Sequence, residues 1–419
     1  MPIFHQQTKH SYTSVRKNTF FLDWRTQPKS YKTYPNFHQR FKIDDYDELK
    51  DLNLIGGVTF EKNYPEGMYY LRTNPSAGGL YPCEIYIQIR GIRGLLNGIY
   101  HYEPIDASLC LLHELNEDGV EFYTKDKTVK KGLTFLISSV YFRSSWKYRD
   151  RSIRYILLDS GHQLGSIYAA LYVMQKDTEI VFNFDKLALN HIFNFRDDEM
   201  FMACVNSNEK TSDKETSRIK NTFSYVGGCD YHEQNSFIIN AYNESVDYKA
   251  KDIKALHFFD TIPKETLKNA ILNRRSIRAF KKDSISIDEF NFILDGIFDF
   301  AKNNAIDIFY TVHNIDGLDI GLYKNSDLIQ SGYFNEKSKY LSLEQKLGGD
   351  SCATFYFTSN DTKAYQKVNM LSGFLAQIIY LKSTIKGIGC SGIGAYYDDV
   401  TKEFLNTKNN ILYLLAIGR

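Results

Sequence analysis

Gly161-His162-Gln163-Leu164, with Ile167 and Tyr168 after it, has a counterpart 212 positions on in Gly373-Phe374-Leu375-Ala376, with Ile379 and Tyr380 after it. A chain that repeats itself must be read as repeated structural units before any local assignment is made. Leu164, Ile167, Tyr168 and Leu171 recur at helical spacing, as do Leu371, Phe374, Leu375, Ile378 and Ile379, so each copy carries a helix with a buried face. The same offset lays Phe201-Met202-Ala203-Cys204-Val205 on Tyr413-Leu414-Leu415-Ala416-Ile417, short apolar runs of the kind that form interior strands. At an offset of 223, Glu84-Ile85-Tyr86-Ile87 with Gly94, Gly98 and Tyr100 matches Asp307-Ile308-Phe309-Tyr310 with Gly317, Gly321 and Tyr323, which is strand, turn, strand in both. The expectation is an α+β chain of two halves, residues 1–205 and 256–419, joined by a connecting segment at 206–255. Within that segment Asn206 to Arg218 is charged and rich in Ser, Thr, Asn and Lys, and reads as linker.

Bulk properties agree with two halves, because 419 residues exceed what one hydrophobic core usually serves. Hydrophobic residues at 43% and charged residues at 24% describe a globular chain and exclude a disordered one. Lys plus Arg (51) balance Asp plus Glu (50), so no global field favours nucleic acid or an anionic membrane as partner. Residues 1–10 hold no apolar core of a signal peptide, and no apolar run approaches the ~18 residues that span a bilayer. A cytoplasmic location is expected. The six cysteines are far apart, without a CxxC pair, and read as reduced thiols with no metal site.

Pro263, after Asp260 and Thr261, should open an amphipathic helix running to about Asn273. Arg274-Arg275-Ser276-Ile277-Arg278 follows it. If the chain is extended there, Arg274, Ser276 and Arg278 face one way and make a clamp for a phosphate or polyol; the other reading is a solvated basic turn. In the first half, Arg72-Thr73-Asn74-Pro75-Ser76-Ala77-Gly78-Gly79-Leu80-Tyr81-Pro82 precedes the Glu84 strand. Its glycines let backbone approach a flat ligand and offer N–H groups to its edge, although Pro and Gly equally favour an ordinary tight turn. Gly387-Ile388-Gly389-Cys390-Ser391-Gly392 spells the dinucleotide fingerprint but follows a helix, and too little chain remains for a βαβ unit, so a Rossmann site is rejected. His162, on the buried helix, reads as a core residue.

These motifs carry a resemblance. Arg274 to Arg278 after an opening helix is similar to the first signature of the nitroreductase superfamily, and Arg72-x-x-Pro75-Ser76-x-Gly78-Gly79-Leu80-Tyr81-Pro82, followed by Gly98-Ile99-Tyr100-His101-Tyr102, resembles the SagB-type dehydrogenases. His5 to His10 and Asp23-Trp24 through Pro28 resemble the start of tandem members of that branch, so the likeness covers nearly the whole chain. It implies an α+β fold with a mixed central sheet flanked by helices, normally a homodimer binding FMN at the subunit interface. Here one chain would supply both halves as an intrachain pseudo-dimer. By resemblance, Arg274, Ser276 and Arg278 hold the FMN phosphate and ribityl chain; Pro75, Ser76, Ala77 and Gly78 line the isoalloxazine; Ile393 and Gly394 match the backbone strip at flavin N5. Many nitroreductases have a further basic pair beyond the last core strand, for which only Arg419 or Arg72 could substitute here.

By resemblance, Lys147-Tyr148 matches the adjacent Lys and Tyr of azoline dehydrogenases, Lys147 as proton acceptor and Tyr148 orienting it or relaying the proton; the other reading is a solvated helix lysine beside a tyrosine that packs the interface. At the 212 offset the second half has Ser359 and Asn360, and at the 223 offset Phe298, Ala301, Lys302 and Ala305 stand where the first half has Pro75, Gly78, Gly79 and Pro82. Each half keeps one part of a site, so one FMN per chain is expected. The implied function is dehydrogenation of an azoline-like or other carbon–heteroatom bond in a small-molecule or peptide substrate. The alternatives are reduction of a nitro, quinone or enone compound with NAD(P)H as a transient donor, and a silent scaffold of a peptide-modifying complex.

Overall fold

A computed structural model describes residues 2–17, 19–64, 67–247 and 249–419, with 209–212 as backbone alone. The chain divides into two compact units, Asp23–Leu256 and Met1–Leu22 with His257–Arg419. The strands of the first are β1 (Arg40–Lys42), β2 (Val58–Tyr64), β3 (Gly67–Arg72), β4 (Cys83–Arg90), β5 (Gly98–Glu103), β6 (Ser108–Glu114), β7 (Thr128–Ser139), β8 (Glu179–Val181) and β9 (Met200–Glu215). Seven of them form a sheet in the order β1-β6-β5-β4-β7-β9-β8, and β2 and β3 make a separate hairpin. The second unit contains β10 (Ile285–Ser286), β11 (Asp307–Val312), β12 (Ile315–Asp316), β13 (Gly321–Lys324), β14 (Asp327–Ser331), β15 (Ala353–Ser359), β16 (Gly389–Ile393) and β17 (Asn410–Gly418). Its main sheet runs β14-β13-β11-β15-β17-β16.

Written side by side, β6-β5-β4-β7-β9-β8 and β14-β13-β11-β15-β17-β16 are the same path, so the repeat is one of topology as well as sequence. Among the described residues every pairing between strands of the two large sheets is antiparallel, where the resemblance implied mixed sheets; the short β10–β12 pair is parallel, as are isolated bridges such as Ser276 to Cys390. β4 shows why these segments choose the centre: its Ile85, Tyr86, Ile87 and Ile89 are buried β-formers. The polar residues between them are each answered. Glu84 meets Arg143 at 2.6 Å and His101 at 2.8 Å, and Gln88 accepts from Val120 N–H at 2.8 Å.

The helices Ser152–Val173 and Tyr365–Ile385 contain the repeated Gly161 and Gly373 segments and are buried almost all round, beyond the single buried face that spacing implied. Their polar residues therefore lie inside as well: Gln163 donates to the Ile55 carbonyl, and Asn369 to the Tyr365 carbonyl at 2.8 Å. The helix expected after Pro263 runs Lys264–Asn273 with Pro263 at its N-cap.

Two boundaries differ from the sequence reading. Residues 206–215, read as linker, extend β9, and Asn206 to Asn208 pair with Thr134 to Gly132 of β7. The ladder needs only backbone N–H and C=O groups, which polar side chains do not forbid. Moreover, the first residues pack with the C-terminal part: His5 Nδ1 lies 2.8 Å from the Tyr365 hydroxyl, and His10 N–H donates to the buried Asp398 carboxylate at 2.9 Å. Among the described residues, no helix is long and apolar enough to cross a membrane.

Candidate functional site

In the unit Asp23–Leu256 the sequence turns at Ala77–Gly79 through one short 3-10 turn, with Gly78 and Gly79 at φ 68° and 67°. Those left-handed conformations are the ones only glycine adopts without strain. The turn is pinned from beneath by Asp159 of the helix Ser152–Val173. The Ser76 hydroxyl donates to Asp159 Oδ2 at 2.6 Å and the Ala77 N–H donates to Oδ1 at 3.2 Å. The Ser76 hydroxyl oxygen in turn accepts from Tyr81 N–H at 2.9 Å, closing the loop on itself. Burial pushes the Asp159 carboxyl up to about 7, against the opposing hydrogen bonds from Ser76 and Ala77.

Lys147 and Tyr148 end the helix Tyr141–Tyr148 directly over this turn. A Cβ on Gly78 would stand 2.6 Å from the Tyr148 hydroxyl and 3.3 Å from Lys147 Nζ, so the absence of a side chain there is what lets the pair approach. The surroundings are aromatic. Lys147 Nζ sits 4.8 Å from the Trp24 ring centroid and 5.5 Å from that of Tyr148, Trp24 meets Trp146 edge-on at 5.6 Å, and Tyr148 meets Tyr155 at 4.5 Å. The Tyr69 hydroxyl from β3 occupies the place where a Cβ on Gly79 would be.

In the other unit the stretch Arg274 to Arg278 lies along β16. Ser276 bridges Cys390 in parallel, and Ile277 N–H donates to the Cys390 carbonyl at 3.0 Å. The chain makes a single bridge there, at Ser276, and bends at Arg278, so it is not a continuous strand. Buried Arg274 lies 5.5 Å from the Tyr380 ring centroid, the Ser276 hydroxyl is 3.0 Å from the Tyr380 hydroxyl, and exposed Arg278 donates to Ser391 Oγ at 3.1 Å. Ile277 packs on Gly389. The Tyr380 hydroxyl also accepts from Gly392 N–H at 2.7 Å, tying the Arg/Ser/Arg segment to the strand that carries Ile393 and, just past its end, Gly394.

The expected residues thus fall into two clusters: Pro75, Ser76, Ala77 and Gly78 with Lys147 and Tyr148 in one unit, and Arg274, Ser276 and Arg278 with Ile393 and Gly394 in the other. The reserve cations are committed elsewhere. Arg419 is paired with Glu289 at 2.5 Å, and Arg72 is buried 5.0 Å from the Tyr81 ring. Asp159 and Tyr380, which organise the two clusters, were not read as site residues from the sequence, where Tyr380 entered only as part of the repeated helix. Asp159 had a signal, as a lone carboxylate within an apolar helix whose counterpart at the 212 offset is Leu371.

The chain matches no family model. Among solved structures, a protein of Anabaena variabilis provisionally named a nitroreductase superposes with a TM-score of 0.81 at 23% identity, over 99% of this chain and 98% of that one. The fold is the nitroreductase fold. A protein of Methanocaldococcus jannaschii, also provisionally named a nitroreductase, is 30% identical over 115 residues, 27% of this chain and 54% of its own length. The chain therefore matches about half the length of that relative. Within the nitroreductase fold seen here, the segment Ile297–Asn303 is a helix where the first half has its glycine turn, so the two halves differ at the place where the candidate site is built.

Proposed function

We propose that this chain is a flavoprotein oxidoreductase that binds one FMN and dehydrogenates a carbon–heteroatom bond of a small-molecule or peptide substrate. The residues present suit that cofactor: two guanidiniums flank a hydroxyl at Arg274, Ser276 and Arg278, and Gly78 gives Tyr148 and Lys147 room that a Cβ would deny. When bound, FMN supplies two-electron chemistry by exchanging a hydride at N5.

Arg278, exposed and donating to Ser391 Oγ, would bind phosphate, with Ser276 beside it. Arg274 is buried against Tyr380 and would add positive charge to the same edge. Pro75 and Gly78 would line the ring system, whereas Ser76 and Ala77 turn their hydroxyl and N–H to Asp159 and would act by shaping the turn. Ile393 and Gly394 would offer backbone to the ring. Lys147 would take the proton released when substrate loses hydride, and Tyr148 would orient it. The observation that carries this reading is the approach of Lys147 and Tyr148 to Gly78, which puts an amine and a hydroxyl next to the glycine turn.

The test is the visible spectrum of the purified chain, with flavin released by denaturation and quantified against protein. A flavin spectrum with a ratio near one, bleached by substrate, is expected. A ratio near two refutes the single site, and bleaching by NADPH alone turns the reading to a nicotinamide-driven reductase. A colourless chain that takes up no FMN refutes the flavoprotein reading.

A further inference from the structure

A carboxylate in the middle of a buried helix is expensive, because removing its charge from water costs several kcal/mol unless partners compensate. Asp159 is such a residue, only 3% exposed. It is held by the Ser76 hydroxyl and the Ala77 N–H of the glycine turn rather than by a cation. The duplicated architecture provides an internal comparison. At the equivalent helix position the second half has Leu371, fully buried, and the segment corresponding to the turn is the helix Ile297–Asn303. The carboxylate is found where the turn is found, and an apolar residue of similar size where it is not.

We propose that Asp159 is a positioning residue for the flavin-lining turn, a role that rests on the function proposed above. It holds Ser76 and Ala77 from below, which fixes the φ-positive glycines that follow and with them the register of Gly78 beneath Lys147 and Tyr148. The Ser76 hydroxyl transmits the hold to the far end of the turn through Tyr81 N–H. Asp159 touches no reacting atom. It sets the place of those that do.

Asp159→Leu reproduces the residue of the other half and removes a buried carboxyl, so it should fold; Asp159→Asn keeps an oxygen that can accept from Ala77 N–H. Two measurements are made on each: amide hydrogen exchange at Ala77 and Tyr81 in the flavin-free chain, and titration with FMN. Asp159→Leu should speed exchange at both amides at least tenfold and weaken FMN binding roughly ten- to a hundred-fold, while Asp159→Asn recovers most of both. If Asp159→Leu does not fold, Ser76→Ala takes its place and should speed exchange at Tyr81 similarly. Unchanged exchange and unchanged FMN affinity in a folded variant would overturn the proposal. A wild-type chain that binds no FMN would sink the flavin reading instead, and the exchange measurement would still decide the role of Asp159.

Discussion

Asp159→Asn should change how stability depends on pH, and by an amount the structure sets. The Asp159 carboxyl goes from an ordinary value of 3.8 to about 7 on burial, about three pH units. At about 1.36 kcal/mol per unit, that is about 4 kcal/mol of linked free energy. The folded state holds the proton across this range and the unfolded state has lost it, so the stabilisation is complete below about pH 4 and is lost as pH rises toward 7. Asn carries no such proton. Urea unfolding can be followed through Trp24 and Trp146, the chain's two tryptophans, which pack together in the unit that holds Asp159. Between pH 5 and pH 8 the wild type should lose roughly 2–3 kcal/mol relative to Asp159→Asn, with all other titrations common to both. Parallel profiles would mean that the carboxyl is not held protonated below neutrality, and the burial argument would fail.

Three further outcomes follow from named contacts. Arg278→Ala should weaken FMN binding roughly ten- to a hundred-fold by titration while leaving the melting temperature of the flavin-free chain nearly unchanged, since Arg278 is exposed. Lys147→Ala should retain its FMN and lose flavin reduction by substrate in stopped-flow absorbance, with Tyr148→Phe impaired less; intact reduction in the Lys147 variant would refute the proton-acceptor role. Glu199→Gln should cost about 3–5 kcal/mol in urea unfolding, because it strands the buried Lys32 ammonium now 2.9 Å from the Glu199 carboxylate and disturbs the Tyr86 hydroxyl that donates to it at 2.8 Å.

What could be read in the sequence was whatever an apolar pattern or a turn residue writes locally. The two long helices, the β4 and β11 strands and the helix Lys264–Asn273 all announced themselves by spacing, and the duplication then ordered them. The polar half of β9 did not, because a ladder satisfied by backbone bonds leaves no apolar signature. Nor did the packing of residues 4–10 with Tyr365, Asp398 and Asp399, since contacts some 360 to 390 positions apart leave no periodicity to detect.

The glycine turn shows where motif reading ends and geometry begins. Its sequence advertises donors for a ligand, yet Asp159 consumes the Ser76 hydroxyl and the Ala77 N–H, and Gly79 N–H bonds to the Ser76 carbonyl at 3.0 Å. What the turn presents instead is the bare Cα of Gly78 under Lys147 and Tyr148. Conformation, rather than hydrogen-bonding capacity, is then the reason for glycine there: any side chain would displace the Tyr148 hydroxyl, and with it the Lys–Tyr pair on which the proposed chemistry depends. The second half has neither the turn nor the Lys–Tyr pair at the equivalent positions, and a buried carboxyl there, with no turn to hold, would only destabilise, which makes leucine at position 371 the better residue.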